Sequence, residues 1–223
     1  MKTNKLTLFT VFYFVIVITT IISSSVKEIA MLHYFAKPAI LTSLIIFFIK
    51  KCNGLSKFTI LITLGALIFS LLGDILLMFD NDSPMFFIGG LAAFLIAHIM
   101  YVFVFLKRKN NTRNPTIIGI TLFIYGAILL YILKDGLGEM LAPVLVYMVI
   151  ILTMAVSAYL RKGNVTIRSY LLVFLGAVSF IISDSILALN KFVEPLWHSN
   201  ISIMLTYGLA QYLIVRGILS QNY

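Results

Sequence analysis

Apolar residues in this chain run in blocks of about twenty, the length a helix needs to cross a hydrocarbon core. Eight such blocks are predicted as helical spans, at residues 6–25, 31–49, 58–79, 86–106, 115–133, 140–160, 170–189 and 199–219. The breaks between them are short and carry helix-ending residues, as in Asn81-Asp82-Ser83-Pro84, Asn110-Asn111 and Gly163-Asn164. No long linker or low-complexity stretch divides the chain, so residues 1–223 read as one eight-helix, all-α transmembrane domain.

Composition agrees with this reading. Hydrophobic residues make up 61% of the chain and charged residues 11%, with a mean hydropathy of +1.06. A soluble domain carries about one quarter charged residues. The single cysteine, Cys52, excludes an internal disulfide framework and any paired-cysteine metal or redox motif. The net charge of +9 raises the question of nucleic acid, but the basic residues fall between apolar blocks rather than on one patch. Topology explains them instead. With the N-terminus in the cytoplasm, 13 of the 17 lysines and arginines, Lys2 and Lys5 among them, lie on the inner side. Only Lys27, Lys37, Lys134 and Lys191 lie outside, a strong positive-inside bias that requires both termini to be cytoplasmic. The first block is longer than the apolar core of a signal peptide and no A-x-A cleavage site follows, so it reads as a membrane anchor. In a bacterium this is a multi-pass protein of the cell (inner) membrane.

Six of the eight acidic residues fall on the outer side; the other two, Asp74 and Asp184, lie inside apolar blocks. A carboxylate at mid-membrane costs roughly 2.5–3.5 kcal/mol on insertion scales, so each is a functional candidate by default. Asp74 comes five residues before the end of its span at Phe79, and Asp184 five before Leu189. At 1.5 Å per residue both then lie roughly 7–8 Å below the outer boundary, able to share a cavity in the outer-leaflet half. Two carboxylates in one apolar site do not both ionise cheaply, which leaves one proton donor and one anion, a pairing used for acid/base chemistry at an acetal-like carbon. The alternative is that each bonds a neighbouring helix or a lipid amine. The two aspartates are 110 residues apart on helices of the same direction, which suggests a parallel 4+4 internal repeat.

Other polar residues could line such a cavity. Lys37, beside Pro38 in the second span, suits a phosphate or a carboxylate, or else snorkels to the interface. His98 and Tyr101 share a face of the fourth span. Asn190 and Lys191 follow Asp184, and Tyr207 and Gln211 are one turn apart in the last span, as cavity lining or as interhelical hydrogen bonds. Three dispersed histidines (His33, His98, His198) without an HExxH motif give no basis for a metal site, and no cofactor or phosphate-cradling glycine loop is expected.

These elements together resemble the YhhN-like lysoplasmalogenase family: Lys37-Pro38, the SLLGD of Ser70–Asp74, the GLxxFxxxHxxY of Gly90–Tyr101, the SDSxLAxNKF of Ser183–Phe192 and the YxxxQ of Tyr207–Gln211, in that order. Gly208 stands where the family pattern suggests a second aromatic. The resemblance implies an intramembrane hydrolase that cleaves the vinyl ether bond of lysoplasmalogens, releasing a fatty aldehyde and a glycerophospho-headgroup. It implies that Asp74 and Asp184 are the functional carboxylates, with no metal or cofactor. A vinyl ether hydrolyses by protonation at its β-carbon and capture of the resulting oxocarbenium ion by water, which an acid and a carboxylate anion can serve. The partners expected are a lysophospholipid substrate and bilayer lipid, with no obligate protein partner. A proton- or ion-coupled transporter using the same carboxylates is the alternative.

Overall fold

The computed structural model describes residues 2–221. Met1, Asn222 and Tyr223 lie outside the described residues, as do the side chains of Lys2, Lys5 and Lys27, three of the charges counted above. The elements are α1 (Lys2–Ser25), α2 (Ala30–Lys51), α3 (Lys57–Leu77), α4 (Pro84–Leu106), α5 (Thr116–Leu137), α6 (Leu141–Tyr159), α7 (Ile167–Phe192) and α8 (Ser199–Leu219), with single 3-10 turns at Lys27–Ile29 and Gly138–Met140. Among the described residues there is no strand, only an isolated bridge between Lys162 and Val165.

Local chemistry sets the helix starts. The Ser56 hydroxyl accepts from the Thr59 N–H at 3.3 Å to open α3, and Thr166 accepts from the Ser169 N–H at 3.0 Å to open α7. Each satisfies a donor that has no partner within its helix. Pro84 begins α4, where its missing N–H costs nothing.

Among the described residues, seven continuous helical stretches, rather than the expected eight, are long and apolar enough to cross a membrane. The difference lies in Thr116–Tyr159, 44 residues in which α5, the 3-10 turn at Gly138 and α6 follow one another with no non-helical residue between them, although Lys134, Asp135 and Glu139 stand at the turn. Gly138 takes the left-handed conformation (φ 48°), and beyond it the chain folds back: a Cβ on Gly126 of α5 would stand 2.7 Å from Leu152 and 3.3 Å from Met148 of α6. The outward surface is apolar, with Phe35, Phe123 and Ile117 each more than 70% exposed, as suits lipid as the surrounding solvent.

Two helix pairs, α3 with α4 and α7 with α8, approach closely because small residues face each other. A Cβ at Gly217 would lie 2.9 Å from the Val173 backbone nitrogen and 3.0 Å from the Ser169 carbonyl oxygen. Gly90 of α4 likewise admits Leu77 of α3. Membrane helices associate through such van der Waals contact, since burial from lipid supplies little drive.

The helix ends correct the depth reasoning above. Helix α3 stops at Leu77, ahead of the Asn81-Asp82-Ser83-Pro84 turn, so Asp74 is three residues from its end. Helix α7 has no breaker until Pro195 and continues through Asn190 and Lys191 to Phe192, so Asp184 is eight residues from its end. What the two share is a cavity rather than a count from the helix terminus.

Candidate active site

A cavity of about 680 Å³ opens between α2, α3, α4, α6, α7 and α8, with the end of α1 at its edge. Helix α3 presents Asp74 to it and α7 presents Asp184; α2 adds Lys37, α6 adds Tyr147 and α8 adds Tyr207. Asp74 is 2% exposed, and its Oδ2 accepts the Tyr207 hydroxyl at 2.7 Å. The Tyr147 hydroxyl donates to Asp184 Oδ2 in the same way. Each carboxylate is thus held by one phenol from a different helix. A buried acceptor of this kind is costly to leave unpaired, so the two bonds fix where the carboxyl groups point. The aspartates also interact electrostatically with each other, and Lys37 interacts with Asp74.

The floor beneath them is aromatic. The Phe180 ring meets Tyr207 edge-on at 5.5 Å and His98 at 4.5 Å, and Phe94 meets Tyr207 at 5.9 Å. The mouth is polar. Lys191 pairs with Asp80 at 2.7 Å and lies 5.1 Å over the Phe87 ring. The Asn190 side-chain oxygen accepts the Leu196 N–H at 2.9 Å, which braces the loop between α7 and α8. His33, one turn before Lys37, lines the same wall and contacts the Thr20 carbonyl at 3.3 Å.

Of the residues singled out in the sequence, Asp74, Asp184, Lys37, Asn190, Lys191 and Tyr207 meet at this cavity. His98, Tyr101 and Gln211 do not line it. They are fully buried below the aromatic floor, where the Tyr101 hydroxyl donates to Gln211 Oε1 at 3.0 Å and His98 packs between Phe94, Tyr147 and Phe180. Tyr147 and Asp80 were not foreseen as site residues. The signal for Tyr147 was faint: a phenol within an apolar span needs a polar partner, and Asp184 lies on the next helix.

The fold and the cavity define a multi-pass, all-helical membrane protein with two carboxylates, Asp74 buried and Asp184 partly so, facing one cavity at one end of its bundle. The chain belongs to the YhhN family, which it matches over residues 32–218. It is 32% identical over 155 residues to the protein named lysoplasmalogenase TMEM86B of Homo sapiens, covering 70% of this chain and 62% of that one. It is likewise 32% identical over 149 residues to lysoplasmalogenase TMEM86A of Homo sapiens (66% and 61%) and 31% identical over 150 residues to lysoplasmalogenase TMEM86B of Sus scrofa (67% and 60%). The chain spans about 60% of the length of the curated relatives it matches. No solved structure matches it.

Proposed function

We propose that this chain is an intramembrane hydrolase that cleaves the vinyl ether bond of lysoplasmalogens, with Asp74 and Asp184 as its acid pair. One observation carries the reading: two carboxylates from separate helices face one cavity of about 680 Å³, each held by a tyrosine hydroxyl. The names of the relatives point to the same substrate class. The cavity is lined from the ends of α2, α3 and α7 at one end of the bundle, which suits entry from one leaflet and does not favour the transporter alternative.

The two carboxylates stand in unlike surroundings, which suits two roles. Lys37 gives Asp74 a cationic neighbour, fitting it to remain the anion. Among the described residues the groups acting on Asp184 are Tyr147 and Asp74 rather than a cation, which suits it to carry the proton, on the oxygen that Tyr147 does not hold. Protonation of the β-carbon by Asp184 moves the vinyl π electrons onto that proton and leaves an oxocarbenium ion, which the Asp74 carboxylate stabilises. Asp74 then takes a proton from water as its oxygen bonds to the cationic carbon, giving a hemiacetal. The hemiacetal collapses as Asp74 returns its proton to the departing ether oxygen and Asp184 accepts the hydroxyl proton. Aldehyde and glycerophospho-headgroup are released and both carboxyl groups are restored. In this scheme Lys37 binds the substrate phosphate, and the Lys191–Asp80 pair, with Asn190, frames the mouth.

We further propose that the chain is one domain of eight crossings with both termini cytoplasmic and the cavity in the outer-leaflet half, built from a 4+4 duplication. The reversal of α5 onto α6 supports two crossings in Thr116–Tyr159. A shift of 110 residues relates Asp74 to Asp184 and also the two hydroxyl caps, Ser56 to Thr166. It further relates Tyr101 to Gln211, and these two touch, as equivalent positions do at a pseudo-twofold axis.

The test is aldehyde release from a synthetic vinyl ether lysophospholipid by the purified protein, beside Asp74→Asn and Asp184→Asn. Release that both substitutions abolish is the expected result. Release that survives either one overturns the two-carboxylate mechanism.

A further inference from the structure

Charge alternates along the wall of the polar cavity. Lys37 interacts electrostatically with both Asp74 and Asp80, and Asp80 in turn pairs with Lys191. All four line the one cavity, so from Asp74 to the mouth the signs run anion, cation, anion, cation.

The outermost pair is more than a contact between two side chains. Lys191 Nζ lies 2.7 Å from Asp80 Oδ2 and 5.1 Å over the Phe87 ring. Its ammonium is therefore held by a carboxylate and by the electron-rich face of an aromatic ring, the two groups that recognise ammonium ions. Both are fixed by the fold. Phe87, in the first turn of α4, is buried and meets Phe192 edge-on at 5.7 Å. Asp80 sits in the turn after α3, which the Asp82 N–H closes on the Phe79 carbonyl at 3.0 Å. The ammonium, by contrast, arrives on a long flexible stem and loses rotamer freedom to stay. Both partners are part-exposed, and an ion pair of that kind is weak. Another ammonium can take its place.

A lysolipid that reacts at its vinyl ether carries a matching series. Outwards from the reacting carbon come the cation of the transition state, the phosphate anion and, where the headgroup bears an amine, a second cation. Asp74, Lys37 and Asp80 are their complements in the same order. With its phosphate at Lys37, such an amine reaches Asp80 already tethered, which favours it over the free-swinging lysine. A primary amine also donates to the carboxylate as Lys191 does. A headgroup that ends in glycerol brings no cation and leaves Lys191 where it is.

We propose that Asp80 and the face of Phe87 form an ammonium subsite that takes the primary amine of a phosphoethanolamine headgroup, with Lys191 as its placeholder when no such headgroup is bound. The subsite selects amine headgroups over phosphoglycerol ones. This rests on the lysolipid reading above and adds to it the residues that choose the headgroup.

The experiment uses two non-hydrolysable lysophospholipids with the same saturated ether chain, one bearing phosphoethanolamine and the other phosphoglycerol. Each is titrated calorimetrically into the purified protein in phosphatidylcholine nanodiscs, with empty nanodiscs as the blank. The ethanolamine probe should bind about tenfold more tightly. Asp80→Asn should bring the two affinities within about twofold of each other without weakening the phosphoglycerol probe, which also shows that the variant is folded. Phe87→Leu should reduce the preference by about two- to fivefold. Lys191→Met should tighten the ethanolamine probe, since its competitor is gone. Equal binding of both probes by the wild type, or binding of neither, overturns the proposal. So does a common loss of both probes in Asp80→Asn, or weaker ethanolamine binding in Lys191→Met. Failure of the hydrolase reading looks different: no aldehyde from the vinyl ether counterparts while the headgroup preference persists, in which case the subsite stands without the reaction.

Discussion

Replacing Tyr207 by phenylalanine isolates one hydrogen bond of the proposed acid pair. The hydroxyl is the group that holds Asp74, at 2.7 Å, and the residue is 4% exposed. Phenylalanine keeps the ring that packs edge-on against Phe94 and Phe180, so the aromatic floor is retained. A hydrogen bond to a charged group contributes about 1.5–3 kcal/mol. If Asp74 is the anion that meets the oxocarbenium ion, losing its donor loosens the carboxylate and lowers kcat/KM by about 10- to 100-fold, at 1.36 kcal/mol per tenfold. The matching control is Tyr13→Phe, which removes another buried phenol bond, from Tyr13 to the Gly208 carbonyl at 2.7 Å, outside the cavity. Both variants should lose a comparable amount of thermal stability in detergent, and only Tyr207→Phe should lose the rate of aldehyde release. Equal losses of rate, or a Tyr207→Phe enzyme within twofold of wild type, would refute the role given to this bond.

Two further outcomes follow from packing and charge. Gly217→Ala places a Cβ 2.5 Å from Val173 Cγ2 and about 3 Å from backbone atoms of α7, so it should cost roughly 1–3 kcal/mol and lower the melting temperature, while Gly119→Ala, with nothing within 4 Å, should leave it unchanged. Lys191→Ala breaks an ion pair whose side chains are 35% and 24% exposed, and a double-mutant cycle with Asp80→Ala should return a coupling of no more than about 1 kcal/mol that shrinks with added salt.

The two aspartates were legible because a carboxylate in an apolar block has one economical explanation, a polar site inside the membrane. The helices were legible because block length matches bilayer thickness. What stayed hidden depends on depth along each helix and on pairing across helices, neither of which hydropathy encodes. His98 and Tyr101 share a face of α4 with Phe87, Leu91 and Phe94, which line the cavity, but they lie one and two turns deeper than Phe94, beneath the aromatic floor. Tyr147 resembled an ordinary core aromatic until α6 and α7 packed and brought it to Asp184, 37 residues further on. Lys191 was read as a residue of the cavity, but nothing in the sequence linked it to Asp80, 111 residues away, which the extra turn of α7 brings beside it. The end of α7 itself was misplaced because Asn190 and Lys191 are polar but still helix-compatible, and polarity was taken for termination.

The proposed duplication explains why an acid pair is well placed and also why it is unequal. A repeat delivers two carboxylates to opposite sides of one axis, and the 110-residue shift carries Asp74 onto Asp184. Two identical half-sites would give two identical acids, which suits a symmetric ligand but not a reaction that needs a donor and an anion at once. The same shift carries Lys37 onto Tyr147. In one half the neighbouring helix supplies a cation beside the carboxylate; in the other it supplies a phenol that holds the carboxyl. The shift also carries Ala97 onto Tyr207, which holds Asp74, so the phenols as well as the cation are placed unequally, and these departures from symmetry separate the surroundings of the two aspartates without moving either from the cavity. They also make a pointed demand on experiment. Exchanging the two residues, Lys37→Tyr with Tyr147→Lys, should not restore what either substitution alone removes, because the rest of the lining, Asn190, Lys191, Asp80 and Tyr207 among it, keeps its place and still orients the substrate for a proton from α7. Recovery of aldehyde release in the double exchange would show that the two halves are interchangeable and would remove the basis for assigning the proton to Asp184.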